Sequence, residues 1–405
     1  MTNRPTTATL LPPAPFRPDI QSLWMLDESI AFLNHGSFGA RLRAVFKAQE
    51  AWREQMEARP VEFLWGRGRD LADQAKHIVG AFLGMQPEHF GFTSNATDGV
   101  SAVLRSLCFE PGDELLTTSH VYPAVRRAMR HVADRAAART VEVDVPLPLA
   151  SPEEIVAAIE EGLTSCTRLV VIDHIASATA VVFPVQQIID RCAARGIEVL
   201  VDGAHGPGML DLHVEDLGAA YYAGNLHKWV CAPPGAGFLW VREDRQSDIH
   251  PNVLSLFLGD GFAAEFSWQG TRDISSWLAA GAAVEAMDKL DGSGSWPRVM
   301  RHNHELAAWV QAMLSEAWAV EPCTPRDGSL LGSMVSVALP AAVSERYETP
   351  EAVQVRLREE YRIEAFVLEW GGRRLIRPCC QVYNTPQQYT RLADAVLEMV
   401  GSANG

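Results

Sequence analysis

The chain has 405 residues, 47% hydrophobic and 21% charged, which is enough for a large buried core and two or three domains. A net charge of −15 argues against nucleic acid as a partner, because phosphate binding draws on clustered Lys and Arg. No run approaches the roughly 20 apolar residues that span a bilayer, and the opening MTNRPTTATLLPPAPFRPD lacks a charged segment followed by an apolar one, so a cytoplasmic chain without membrane association is expected.

In chain order, Pro12, Pro13, Pro15 and Pro18 predict an extended arm over the first 20 or so residues, leading into a helix, with 1–69 as one N-terminal unit. From about 70 to 290, helical stretches alternate with short apolar strands at 115–118, 169–172, 199–201 and 237–241. Continuous apolar runs between helices predict a mostly parallel sheet covered on both faces, an α/β domain. A helical run over 276–290 stops at Asp291-Gly292-Ser293-Gly294-Ser295, which sets the boundary of a smaller α+β domain, 291–405. That domain should hold a helix near 296–318, a strand over 334–339, an exposed helix over 345–360 and a closing helix from 386 to 400. Seven cysteines, an odd number without CxxC spacing, indicate neither a disulfide framework nor a metal site. His302-Asn303-His304-Glu305 reads as a solvated helical face rather than a metal site.

In open α/β sheets, ligands bind at the carboxyl ends of strands. Asp202 follows the apolar strand 199–201 and opens a glycine-rich turn, and Lys228 follows 26 residues later in Asn225-Leu226-His227-Lys228-Trp229. Singly, each is ordinary: a strand-end Asp is commonly a turn former, and a lone Lys is commonly solvated. Together they supply what pyridoxal 5'-phosphate (PLP) requires, a carboxylate for the pyridine nitrogen and an amine for the aldehyde. Asn95-Ala96-Thr97, at the start of a helix with apolar positions at Val100, Val103, Leu104 and Leu107, would suit a phosphate, although the same residues also make an ordinary N-cap.

These segments, with Phe32-Leu33-Asn34-His35-Gly36-Ser37-Phe38-Gly39, Trp268-Gln269-Gly270-Thr271-Arg272-Asp273, Arg377 and Tyr383-Asn384, resemble the isopenicillin N epimerase-like group of the class V branch of fold type I PLP enzymes. The resemblance spans about residues 24–398. It implies a large PLP-binding domain over 70–290, a small C-terminal domain, and an N-terminal arm and helix contributing to the active-site mouth and to the small domain. It implies that Lys228 carries the cofactor as a Schiff base and shuttles the Cα proton, that Asp202 pairs with the pyridinium nitrogen, and that His205 lies near the ring oxygen. Tyr122 would stack on the ring, an arrangement suited to an electron-poor pyridinium. Asn95, Ala96, Thr97, Asn225 and His227 would hold the phosphate from one subunit, and Gln269, Gly270 and Thr271 from its partner in a homodimer. Ser177 would lie near the ring oxygen or the substrate. Arg377 would take the substrate carboxylate in a bidentate pair, with Asn34, His35 and Gly36 at the mouth.

The branch also contains cysteine desulfurases with a reactive cysteine shortly before the Arg377 position, and the stretch 364–376 has none. Persulfide chemistry is therefore disfavoured. The expected activity is an amino-acid epimerase or racemase, with Tyr122 and His35 as candidate second acids. The alternative is a C–S lyase that eliminates the β-substituent of a cysteine conjugate or sulfoxide. An aminotransferase, or a relative that binds PLP without turnover, is less favoured.

Overall fold

The computed structural model describes residues 11–401, so the first half of the expected arm lies outside the described residues. Seven strands form the central sheet: β1 (Phe90–Thr93), β2 (Glu114–Thr118), β3 (Arg139–Val143), β4 (Thr167–Asp173), β5 (Glu198–Gly203), β6 (Tyr221–Asn225) and β7 (Gly237–Val241). Their order is β1-β7-β6-β5-β4-β2-β3, and every pairing is parallel except those of β7, which runs antiparallel to both neighbours. The period-2 geometry of a strand sorts the apolar runs into two layers. Val170, Ile172, Val199 and Val201 join one core cluster, while Leu169, Val171, Leu200, Tyr221 and Ala223 join another. Both layers are covered by helices, which is why these strands read as unbroken apolar runs.

The same parity sends Asp173, Asp202 and Asn225 to the face carrying Leu169, Leu200 and Tyr221. That face is covered by α3 (Ala96–Ser106) and α4 (Pro123–Ala136), and α3 contacts β6 and β7. On the other side, α1 (Arg43–Ala58) and α2 (Gly68–Leu83) pack against α7 (Ser275–Asp288), the long apolar helix before the Asp291–Ser295 break; α5 (Pro152–Gly162) and α6 (Val185–Ala193) precede it in the chain.

The smaller body has its own core. It contains α8 (Trp296–Ala317), α9 (Ala341–Arg346), α10 (Pro350–Tyr361), α11 (Pro386–Gly401) and an antiparallel sheet of β8 (Val337–Ala338), β9 (Phe366–Trp370) and β10 (Arg373–Arg377). The described residues ahead of α2 meet both bodies. Ala31–Phe32 pairs in parallel with Ile363–Glu364 of the smaller body, whereas α1 packs on the larger. The proline-rich arm bridges the two, with Arg17 donating to the Leu290 carbonyl and Gln21 to that of Tyr383.

Three local expectations change. The 334–339 strand shortens to two residues plus a bridge from Met334 to Cys379. The helix expected over 345–360 is two helices, broken where Thr349 caps α10 ahead of Pro350. The His302–Glu305 stretch is not a plain solvated face: Asn303 is fully buried and donates to Gln381, and His302 packs edge-on against Phe16.

Candidate active site

A cleft of about 500 Å³ opens at the carboxyl ends of β4, β5 and β6. Its walls include Asn95, Thr97, Tyr122, Asp173, Ser177, Asp202, His205, Asn225, His227 and Lys228, drawn from five separate stretches of chain, with Ser37 and Phe38 as a sixth.

The floor is set by the sheet. Asp173 and Asp202 are partners in the β4–β5 register, and Asp202 in turn pairs with Ala223. Asp202 is 4% exposed and accepts the Ala204 amide at 3.0 Å. Burial raises its carboxyl, against the pull of that amide and of Lys228. Lys228 follows β6 by three residues, and its Nζ lies 3.0 Å from Nε2 of His205. Burial first, then the positive charge of Arg377, holds the amine down at about 7. Burial, with Lys228 and Arg377 adding repulsion, keeps the His205 imidazole neutral. A neutral lysine amine is the nucleophilic form.

At the other end of the cleft, Asn95 caps α3 by accepting the Asp98 amide at 3.0 Å, and the Ala96 amide donates to Asn225 at 2.8 Å. Two of the first free amides of the helix are thus satisfied internally, and Thr97 lines the cleft. His227 presents a buried Nδ1 without a protein partner among the described residues.

Arg377, at the end of β10, is 1% exposed and stands behind the cleft lining. One Nη donates to the Ser177 carbonyl and, at 3.3 Å, to its hydroxyl; the other donates to the Ser37 hydroxyl at 3.2 Å and lies 3.5 Å from Oδ1 of Asn34. Among the described residues no carboxylate pairs with it. An uncompensated buried guanidinium is costly and suits an anionic ligand.

Most of the expected site residues meet here, while Asn34, His35 and Gly36 stand off the cleft wall. His35 is fully buried, with Nδ1 on the Tyr383 hydroxyl at 2.8 Å and Nε2 on the Lys228 carbonyl at 3.0 Å, so it braces the lysine backbone instead of facing substrate. Gly36 donates to the Cys379 sulfur and also points away. Asn34 reaches the site only through Ser37 and Arg377. The cleft side of this turn is Ser37 and Phe38. The turn can sit so close because residue 39 is glycine: a Cβ there would lie 2.0 Å from the His227 carbonyl oxygen. Gln269, Gly270 and Thr271 do not line this cleft; Gln269 donates to the Phe92 and Phe266 carbonyls. Asp173 was missed, although the rule that found Asp202, a carboxylate directly after an apolar strand, applies to it equally.

The residues present fit PLP. A buried amine and a buried strand-end carboxylate share the cleft, His227 leaves a ring nitrogen unpartnered, and a helix start supplies Thr97. The sequence profile of the aminotransferase class-V family matches residues 43–354, and the chain belongs to that family. It is 32% identical to the isopenicillin N epimerase of Amycolatopsis lactamdurans, over 92% of this chain and 96% of that one. It is 31% identical to an L-cysteine desulfhydrase of Arabidopsis thaliana, over 92% of this chain and 88% of that one. A solved structure of a C-DES mutant with glycine covalently linked to its PLP cofactor gives a TM-score of 0.78 at 20% identity, over 91% of this chain and 96% of that one. The chain therefore has the α/β fold of the fold type I PLP enzymes.

Proposed function

We propose that the chain is a PLP-dependent enzyme acting at Cα of an amino acid, and that its reaction is epimerisation of the isopenicillin N epimerase kind. The cofactor supplies an aldehyde and a protonated pyridine ring able to withdraw the electron pair left at Cα. Lys228 would be its attachment point and the base that takes the Cα proton, Asp202 would hold the ring nitrogen, His205 would stand at the ring oxygen, and Asn95, Thr97, Asn225 and His227 would hold the phosphate end, with the Ala96 amide fixing the Asn225 side chain. Arg377, with Ser37 and Ser177, orients the substrate carboxylate. The observation that carries this reading is the buried Lys228 amine, held near 7 beside His205 in the cleft that also contains Asp202.

Inverting Cα needs a second acid from a different wall. With His35 sealed behind the lysine backbone, Tyr122 is the candidate: it lines the cleft and is 40% exposed. A second reading is β-elimination from a cysteine conjugate or sulfoxide, favoured by the desulfhydrase relative, and it requires Lys228 but no second acid. Incubation in D2O with a panel of amino acids and cysteine conjugates separates the two. Epimerisation puts deuterium at Cα of both enantiomers, and Tyr122→Phe should confine it to one. Pyruvate, ammonia and a released sulfur product, undiminished in Tyr122→Phe, would replace epimerisation with elimination.

The working unit is a homodimer. Val61, Trp65, Leu254, Leu256 and Leu258 are at least half exposed apart from their neighbour Phe257, and an exposed apolar patch of this kind is a contact surface. Trp65 meets Trp268 edge-on at 5.4 Å, which joins the patch to Gln269-Gly270-Thr271, the segment read as reaching the partner's phosphate. Among the described residues no helix is long and apolar enough to cross a membrane, and the cysteines are unpaired, which suits a reducing cytoplasm.

A further inference from the structure

We propose that Trp229 is a positioning residue whose indole N–H fixes the proton of His205 on Nε2 and so keeps the Lys228 amine unprotonated. The inference rests on the reading of Lys228 as the cofactor's attachment point, because only there does the amine's protonation decide chemistry.

Trp229 follows Lys228 directly, and its fully buried side chain joins Ile175, Met209, Met334 and Cys379 beneath the cleft. Its Nε1–H donates to Nδ1 of His205 at 3.3 Å, while Nε2 of the same ring lies 3.0 Å from Nζ of Lys228. An indole nitrogen donates and never accepts. Nδ1 of His205 must therefore be the bare, accepting nitrogen, and the neutral ring carries its proton on Nε2, aimed at Lys228. An ammonium has no lone pair to receive that proton, whereas a free amine does. Each alternative brings two donors face to face: an imidazolium or an Nδ1–H tautomer meets the indole N–H, and an ammonium meets Nε2–H.

The other groups around the amine do not decide the matter. Arg377 lowers it while Asp202, Cys379 and Asp173 raise it, and burial leaves it at about 7, near balance between its two forms at neutral pH. His227 and His35, the remaining titratable rings near His205, are themselves held down to about 4 by burial. A non-titrating indole is what tips the balance. Trp229 cannot drift from this position. Its ring lies against His35 with centroids 4.9 Å apart, and its backbone passes so close to residue 208 that a Cβ there would sit 2.7 Å from the Trp229 carbonyl carbon, at a glycine with φ of +79°.

The first test uses the wild-type apo protein with 15N-labelled histidine, since ring nitrogen shifts distinguish a protonated from a bare nitrogen. His205 should be neutral and protonated on Nε2 from mildly acid to mildly alkaline buffer. A proton on Nδ1, or an imidazolium, overturns the proposal whether or not PLP binds. The second test is Trp229→Phe, which keeps an aromatic ring and removes only the donor. Capture of added PLP at neutral pH should slow by about tenfold and recover about one pH unit higher, as expected for an amine that now holds its proton more tightly. An unchanged pH profile in that variant also overturns it. Borohydride reduction followed by peptide mapping reports separately whether the cofactor attaches at Lys228.

Discussion

The sheet side of the cleft holds Asp173, Asp202 and Asn225 at neighbouring strand ends, each placed by register and strand parity, with Lys228 three residues beyond. The opposite side joins Asn34 and Ser37 to Arg377 across 343 and 340 positions of chain through side-chain hydrogen bonds, on segments that the Cys379 amide links to the Leu33 carbonyl. The first side inherits its geometry from the backbone, so a substitution there removes one functional group and leaves its neighbours in place. The second is assembled by the side chains themselves, and removing one member loosens the others. Loss of function should accordingly be sharp and chemical on one side, and graded and affinity-like on the other.

The largest effect belongs to the sheet side. Lys228→Ala should lower turnover by at least about 10³-fold, the range associated with removing a general base, and should abolish borohydride trapping of PLP on the chain. Turnover within tenfold of wild type would break the comparison at its root. A smaller effect is expected across the cleft. Arg377→Lys keeps the charge but loses the planar fork that bonds Ser177 and Ser37 together. Losing one charged hydrogen bond to a substrate carboxylate is worth about 2 kcal/mol, roughly 30-fold, and it should fall mainly on KM. A fall confined to kcat would mean that Arg377 serves the reacting centre instead of binding.

This asymmetry explains what the sequence could and could not tell. Asp202 was legible because a polar residue ending an apolar strand lies at the carboxyl end of the sheet in any α/β fold, and Lys228, three residues beyond β6, because PLP chemistry pairs a lysine with such a carboxylate. The alternation of Leu169, Val170, Val171 and Ile172 between two buried layers announced a sheet covered on both faces. Arg377 and the Asn34–Ser37 turn were legible only through family resemblance, since no local pattern links positions so far apart. Even the motif does not give the facing of the turn: His35 sits in it but spends both ring nitrogens on Tyr383 and on the Lys228 carbonyl. In a turn whose residues look in different directions, neither periodicity nor motif membership says which one meets the cleft. Trp229 escaped notice for a related reason, because a tryptophan beside a catalytic lysine reads as core until its N–H is seen to have a partner.

The smallest expected effect concerns Asp173, where the sheet side holds one acid more than the chemistry assigned to it. Neighbouring strands lie about 4.8 Å apart, so two in-register carboxyls on one face cannot both ionise cheaply. Asp202 accepts the Ala204 amide and faces the Lys228 amine, whereas Asp173 is 3% exposed with a buried Oδ2 lacking any partner among the described residues. The proton therefore belongs on Asp173, whose carboxyl is pushed well above the usual range by burial and then by the charge of Asp202. Above pH 3.8, its ordinary value, the unfolded chain has released this proton and the folded chain still holds it. Stability must then fall as pH rises, until the pH reaches the folded value. Asp173→Asn cannot ionise and escapes that loss. Its apo form should melt close to the wild type in acid and a few °C higher in mildly alkaline buffer, with loss of the infrared carbonyl band of a protonated carboxylic acid. Melting curves that stay parallel across pH would mean that Asp173 is ionised, and that register alone does not set the charge of this side of the cleft.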